Sequence, residues 1–132
     1  MTMKYLLLLL IFFPTLVSAK TDPLKYVNQY RTEHGRTVLI ENDETCDLAK
    51  KRLRETNLSF NHDKFYQRSP ELVKVGWWGE NLARNFNSKK EVVLAWDKSP
   101  VHKRILLLDA KYACLKSNGS NYVLILYLPT PV

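Results

Sequence analysis

The apolar positions along the chain change period several times, and each change predicts an element. Residues 5–16 form an almost continuous apolar run, broken only by Pro14 and Thr15. From Leu24 onward the spacing becomes helical. Leu24, Val27 and Tyr30 or Arg31 predict a helix opened by Thr21-Asp22-Pro23, a capping side chain ahead of a proline, and stopped by Gly35. His34 falls in its last turn, where a cation suits the helix C-terminus, and is read as a capping or surface residue. Asn42-Asp43 precedes a second helix over residues 44–57, with Cys46, Ala49 and Leu53 as the inward stripe and Lys50, Lys51, Arg54 and Glu55 facing water.

Residues 59–79 show no clear period: Phe60, Phe65 and Tyr66 stand among polar residues, followed by Pro70 and the pair Trp77-Trp78. A loop of this length rich in aromatics carries function or buries its own rings over a core. The tryptophan pair is read as one core residue and one half-exposed neighbour. Ser88 and Glu91 form a capping box, and the helix they open buries Val92, Val93 and Trp96. Ser99-Pro100 repeats the signal for a short helix and sets His102 in its first turn. There the helix dipole disfavours the imidazolium and favours the neutral ring, the form that binds metal or acts as a base. Residues 112–116, a turn over 117–121 and the apolar run 122–128 then read as a β-hairpin ending in a buried strand, stopped by Pro129 and Pro131. Three or four helices ahead of one hairpin indicate an α+β domain and not alternating βαβ units.

The 132 residues suffice for one domain. Lys4, the apolar run and the small-residue site Val17-Ser18-Ala19 mark residues 1–19 as a secretory signal peptide, leaving residues 20–132 as the domain of a secreted or periplasmic protein. The alternative for this run, which is short for a transmembrane helix, is an uncleaved anchor. The formal charge is +7, and cleavage after Ala19 leaves +6, nineteen basic against thirteen acidic side chains. The cations come as scattered pairs, Lys50-Lys51, Lys89-Lys90 and Lys103-Arg104, which suit solvated helix faces. Affinity for an anionic surface, a membrane or a cell-wall polymer, is the alternative. No motif of specific nucleic-acid binding accompanies the charge. Cys46 and Cys114 are the only cysteines, an even count that in an exported chain predicts one disulfide; closing that loop contributes about 4 kcal/mol in the chain-entropy account. Two buried thiols are the alternative. Neither cysteine has a second Cys or a His beside it at ligand spacing, which argues against a metal site there. Asn57-Leu58-Ser59 and Asn118-Gly119-Ser120 match the N-glycosylation pattern, which matters only in a eukaryotic secretory pathway.

Several segments taken in order resemble the CAP superfamily (cysteine-rich secretory, antigen 5 and pathogenesis-related proteins; the SCP domain), and in particular its short bacterial secreted members. Val27-Asn28-Gln29-Tyr30-Arg31 with His34-Gly35 is similar to the opening helix, Asn61-His62-Asp63 to the first-histidine segment, and Gly79-Glu80-Asn81-Leu82-Ala83 to the most characteristic motif. Trp96, Ser99-Pro100 and His102 resemble the bacterial branch. The resemblance covers nearly the whole domain. It implies an α+β fold of the three-layer α-β-α sandwich type, with a central cleft lined by two histidines and acidic residues, and carries over His62, Glu80 and His102. The chain departs from the fuller pattern at Ser99, where a second glutamate is usual, at Val101 and Lys116, which replace glycines, and by one extra residue between Lys103 and Asp109. Glu91 is near the missing glutamate, but its capping box accounts for it.

His62, Glu80 and His102 are separated by 18 and 22 residues and act together only if the fold gathers them. Two neutral imidazoles and one carboxylate can hold Zn2+ with an open position for water. The competing reading makes Glu80 a hydrogen-bonded polar brace beneath the cleft. Ser99 and His102 are spaced as cap and first-turn residue, and without an orienting third group the pair is not read as a nucleophile and base. Two function classes follow: a non-catalytic binding module whose cleft takes an apolar or extended ligand (lipid, sterol or peptide) or a protein partner, and a metal-assisted hydrolase outside the cell or in the periplasm.

Overall fold

The computed structural model describes residues 21–131; the signal-peptide assignment for residues 1–19 lies outside the described residues. The elements in chain order are α1 (Lys25–Glu33), α2 (Asp43–Leu58), α3 (Asp63–Gln67), α4 (Ser69–Leu72), β1 (Gly76–Arg84), α5 (Lys89–Asp97), α6 (Pro100–Leu106), β2 (Tyr112–Ser117) and β3 (Asn121–Pro129). Among the described residues no helix is long and apolar enough to cross a membrane.

The expected hairpin is present as β2 and β3, but the sheet holds a third strand. β1 pairs antiparallel with the other side of β3 in an unbroken register from Gly76↔Pro129 to Arg84↔Asn121, giving the order β1-β3-β2. The aperiodic stretch ahead of it contains the two short helices α3 and α4 and is not a plain loop. β3 lies in the middle and is buried on both faces, which is why it reads as an unbroken apolar run.

Strand alternation divides the core in two. Leu82, Cys114, Val123 and Ile125 pack with Leu48, Ala49 and Phe65 on the face covered by α2. Ala83, Ala113, Leu115, Leu124 and Leu126 pack on the other face with Val27, Val92, Val93, Trp96 and Leu106 from α1, α5 and α6. Helices therefore cover both faces of an α+β sheet. Of the tryptophan pair, Trp78 is half-buried and stacks on Tyr127 with ring centroids 3.8 Å apart, whereas Trp77 is 75% exposed.

Local signals set most helix ends. The Asn42 side chain accepts from the Thr45 N–H at the start of α2, and the Ser88 side chain accepts from Glu91 N–H at the start of α5. Glu91 returns the bond one residue early, accepting from the Asn87 N–H at 3.0 Å. Ahead of α1, Asp22 accepts from the Leu24 N–H at 2.9 Å, and Gly35 ends the segment with φ of +73°. Both Tyr30 and Arg31 are buried. Arg31 donates to the carbonyls of Thr37, Leu106 and Leu108, each at 2.8 Å, and so ties α1 to the end of α6. His34 is exposed, its ring tilted 30° against that of Tyr30 and its Nδ1 2.7 Å from the Tyr30 carbonyl.

α2 departs from its expected stripe. Its buried residues are Thr45, Leu48, Ala49, Arg52 and Thr56, while Cys46 and Leu53 are half-buried. Cys46 is nonetheless joined to Cys114 of β2, with Cα atoms 5.0 Å apart and a sequence separation of 68, so the disulfide fastens α2 to the sheet. The two glycosylation-type asparagines meet at the far end of α2, where Asn118 Nδ2 donates to Asn57 Oδ1 at 2.7 Å.

Candidate functional site

Glu80 sits in the middle of β1 and shares strand parity with Trp78 and Leu82, so its side chain enters the layer beneath α2. It is 5% exposed. A carboxylate buried there is tolerable only if its charge is compensated. Arg52, fully buried on the facing side of α2, does this with two bonds, Nε to Oε2 at 2.7 Å and Nη2 to Oε1 at 3.0 Å. The same guanidinium donates to the Asn61 carbonyl at 2.7 Å, which holds down the loop that carries His62, and to Glu55 at 3.3 Å. Burial alone would lower the Arg52 pKa, but Glu80 and Glu55 outweigh it and hold the group above its ordinary value.

Glu55 in turn takes an end-on bidentate pair from Arg68, at 2.6 and 3.1 Å. Its burial favours the neutral acid, but Arg68 and then Arg52 reverse this and hold the carboxyl below the usual carboxylate range. Charges of alternating sign thus run Arg68, Glu55, Arg52 and Glu80, and Glu80 in turn meets the His62 ring.

His62 lies just before α3, with Nδ1 2.9 Å from Glu80 Oε1. With the carboxylate oxygen as acceptor, the imidazole Nδ1–H is the donor of this bond. His102, in the first turn of α6, is half-buried, and its Nδ1 is 2.9 Å from Ser99 Oγ. Ser99 occupies the N-cap position of α6 but makes no side-chain cap bond, its hydroxyl being engaged by the imidazole. Burial, and next the charge of His62, hold the His102 pKa below its ordinary value. The expected neutral ring follows, with desolvation as the main cause. Asn81 fixes α6 against β1, its Nδ2 donating to the His102 carbonyl at 2.9 Å; among the described residues its buried Oδ1 has no partner.

The structure therefore brings His62 and Glu80 into contact, while Asn81, the next residue of β1, holds the backbone of His102 against the same strand. The three side chains do not form a tight triad. Among the described residues, the one group of three metal-type donors within 4.8 Å of one another is Glu41, Cys46 and Cys114, and two of those are the sulfurs of the disulfide. Were a divalent ion held here, His62 and His102 would supply Nε2, with Glu80 and Ser99 contacting the rings at Nδ1. Glu80 itself, with both oxygens on Arg52, does not fit a direct ligand. A groove of about 210 Å3 between α1 and α5, lined by Tyr26, Tyr30, Val93 and Leu94 among others, includes neither histidine.

The sequence reading missed Arg52, Asn81 and the role of Ser99. A signal existed only for Arg52: it falls at helical spacing from Leu48 and Ala49, on the side that must face the sheet.

No protein-family model and no curated protein matches the sequence. Solved structures do match the fold. A cysteine-rich secretory protein of Staphylococcus aureus is similar with a TM-score of 0.66 at 20% identity, over 78% of this chain and 36% of that one. An extracellular protein containing an SCP domain from Bacillus anthracis gives 0.63 at 20% identity, over 76% and 37%. An outer surface protein of Borrelia burgdorferi gives 0.62 at 21% identity, over 81% and 91%. The chain spans about a third of the length of the first two, and nearly all of the third. At these identities the likeness shows the fold: the chain has the α+β fold of the SCP, or CAP, domain.

Proposed function

We propose that this chain is an exported member of the CAP superfamily that works as a non-catalytic binding module, with the cleft between His62 and His102 as its site. The observation that carries the reading is the bidentate hold of buried Arg52 on Glu80. A carboxylate neutralised in this way orients a neighbour well but is a poor general base. Ser99 stands where the fuller family pattern has a second acid, which removes one candidate for activating water. The two imidazoles suit a divalent cation such as Zn2+, which would supply a positive centre for an oxygen of the bound ligand. That ligand is apolar or extended, a lipid, sterol or peptide, or a segment of a partner protein. Extracellular and outer-surface proteins among the structural neighbours support export.

Isothermal titration of Zn2+ into the oxidised protein near neutral pH tests the cleft, beside a His62→Ala, His102→Ala variant shown to be folded. One saturable ion, lost in the variant, is expected. Equal binding by both proteins, or none by either, removes the cation from the reading, and hydrolysis that survives in wild type and vanishes in Glu80→Gln would replace the binding module with a metal-assisted hydrolase.

A further inference from the structure

We infer that the groove between the outer side of α2 and the α3–α4 corner is a binding site for a phosphate-type oxyanion, separate from the histidine cleft. The groove is about 220 Å3 and is lined by Lys51, Arg54, Glu55, Leu58 and Arg68, three cations against one carboxylate. The carboxylate is already committed. Glu55 takes the Nη1 and Nη2 ends of Arg68, and Arg68 Nη1 donates a second bond to the Lys64 carbonyl at 2.9 Å.

This engagement leaves the other edge of the guanidinium. Among the described residues Arg68 Nε has no partner, and Nη2 makes one bond of the two it can donate. Nε and Nη2 together form a planar fork whose spacing fits two oxygens of one phosphate. The bonds on its far side hold the fork in place, so little side-chain freedom is lost when an anion docks. Lys51 and Arg54 are exposed and, among the described residues, have no acidic partner within 4.0 Å, so both heads can converge on the same anion. Leu58, 92% exposed at the end of α2, adds an apolar group beside the cations. Free phosphate and the phosphodiester of an anionic lipid headgroup share this chemistry.

The test follows the Arg68 Nε–H resonance of the protein during titration with inorganic phosphate at pH 7, against sodium chloride of equal ionic strength. A parallel arm measures co-sedimentation with phosphatidylglycerol and phosphatidylcholine vesicles. The site predicts a saturable shift that chloride does not reproduce. The exposed double variant Lys51→Gln, Arg54→Gln should weaken phosphate binding by about tenfold or more with an unchanged thermal midpoint. Binding of free phosphate alone assigns the site to soluble phosphate compounds; retention on phosphatidylglycerol vesicles, competed by phosphate, assigns it to a headgroup. Either result upholds the site. An equal response to chloride, or phosphate and vesicle binding indifferent to the double substitution, overturns it. Zinc binding in the cleft is unaffected by any of these outcomes, so the two readings fail separately.

Discussion

Replacing Arg52 by Met tests whether the cleft rests on a buried ion pair. The substitution keeps a long unbranched side chain but removes both bonds to Glu80, the bond to the Asn61 carbonyl and the bond to Glu55. Glu80, 5% exposed, is left with His62 alone. Breaking a buried pair by removing one partner strands the other charge, and the loss is about 3–5 kcal/mol. For a domain of this size that is a large part of its stability and lowers the thermal midpoint by roughly 10–20 °C. Urea unfolding with the disulfide intact measures it, the slope against denaturant staying constant if only stability has changed. The control is the double variant Arg52→Met, Glu80→Gln, which removes the stranded charge and should recover at least about 1 kcal/mol of the loss. A loss below about 1 kcal/mol in Arg52→Met, or a double variant no more stable than the single, would refute the view that compensation by Arg52 holds Glu80 in the sheet.

Removing the Cys46–Cys114 bridge frees a loop of 68 residues and should cost up to about 4 kcal/mol, read as a lower urea midpoint for Cys46→Ala, Cys114→Ala than for the oxidised protein; equal midpoints would show that the bridge adds no constraint. Stability should fall with acidification in two steps. The His102 pKa is lowered in the fold, so protonation opposes folding and stability declines as the pH drops below its ordinary 6.5 towards the folded value. Glu55 is likewise lowered, so its contribution, present above 4.5, is lost as the pH falls through its folded value. His102→Gln should flatten the first step, and a pH 7-to-5 decline unchanged in that variant would place its cause elsewhere. Trp96→Phe keeps the ring in the core but leaves the Leu82 carbonyl without the indole N–H now 2.9 Å away, for a loss of about 1–3 kcal/mol by the same urea assay.

Elements specified by neighbours in sequence were legible. The Ser88 cap of α5, the Gly35 stop and the apolar run of β3 each carry their reason within a few residues, and each stands where expected. β1 was not legible, because its interior holds Gly79, Glu80 and Asn81 in succession, a composition that argues against a buried strand. Arg52 was assigned to neither face, and the inward stripe drawn through Cys46, Ala49 and Leu53 lies rotated from the one that packs, Thr45, Leu48, Ala49, Arg52 and Thr56. These two misses have one cause. Arginine on a helix reads as solvent-facing and glutamate in a strand reads as misplaced; each becomes a core residue only because the other, 28 positions away, lies opposite it. Ser99 repeats the pattern on a smaller scale, since a side chain suited to capping the backbone of α6 is engaged by the His102 imidazole instead. The histidines entered through resemblance and not through periodicity, which carries no information about residues separated by 18 and 22 positions. Local rules thus fail at Arg52, Glu80 and Ser99, and these three touch or flank the two imidazoles. A chain under no functional constraint would satisfy α2 and β1 more simply with apolar residues, so the concentration of locally unfavourable choices around His62 and His102 is itself an argument that the cleft, and not the sheet, is what these residues serve.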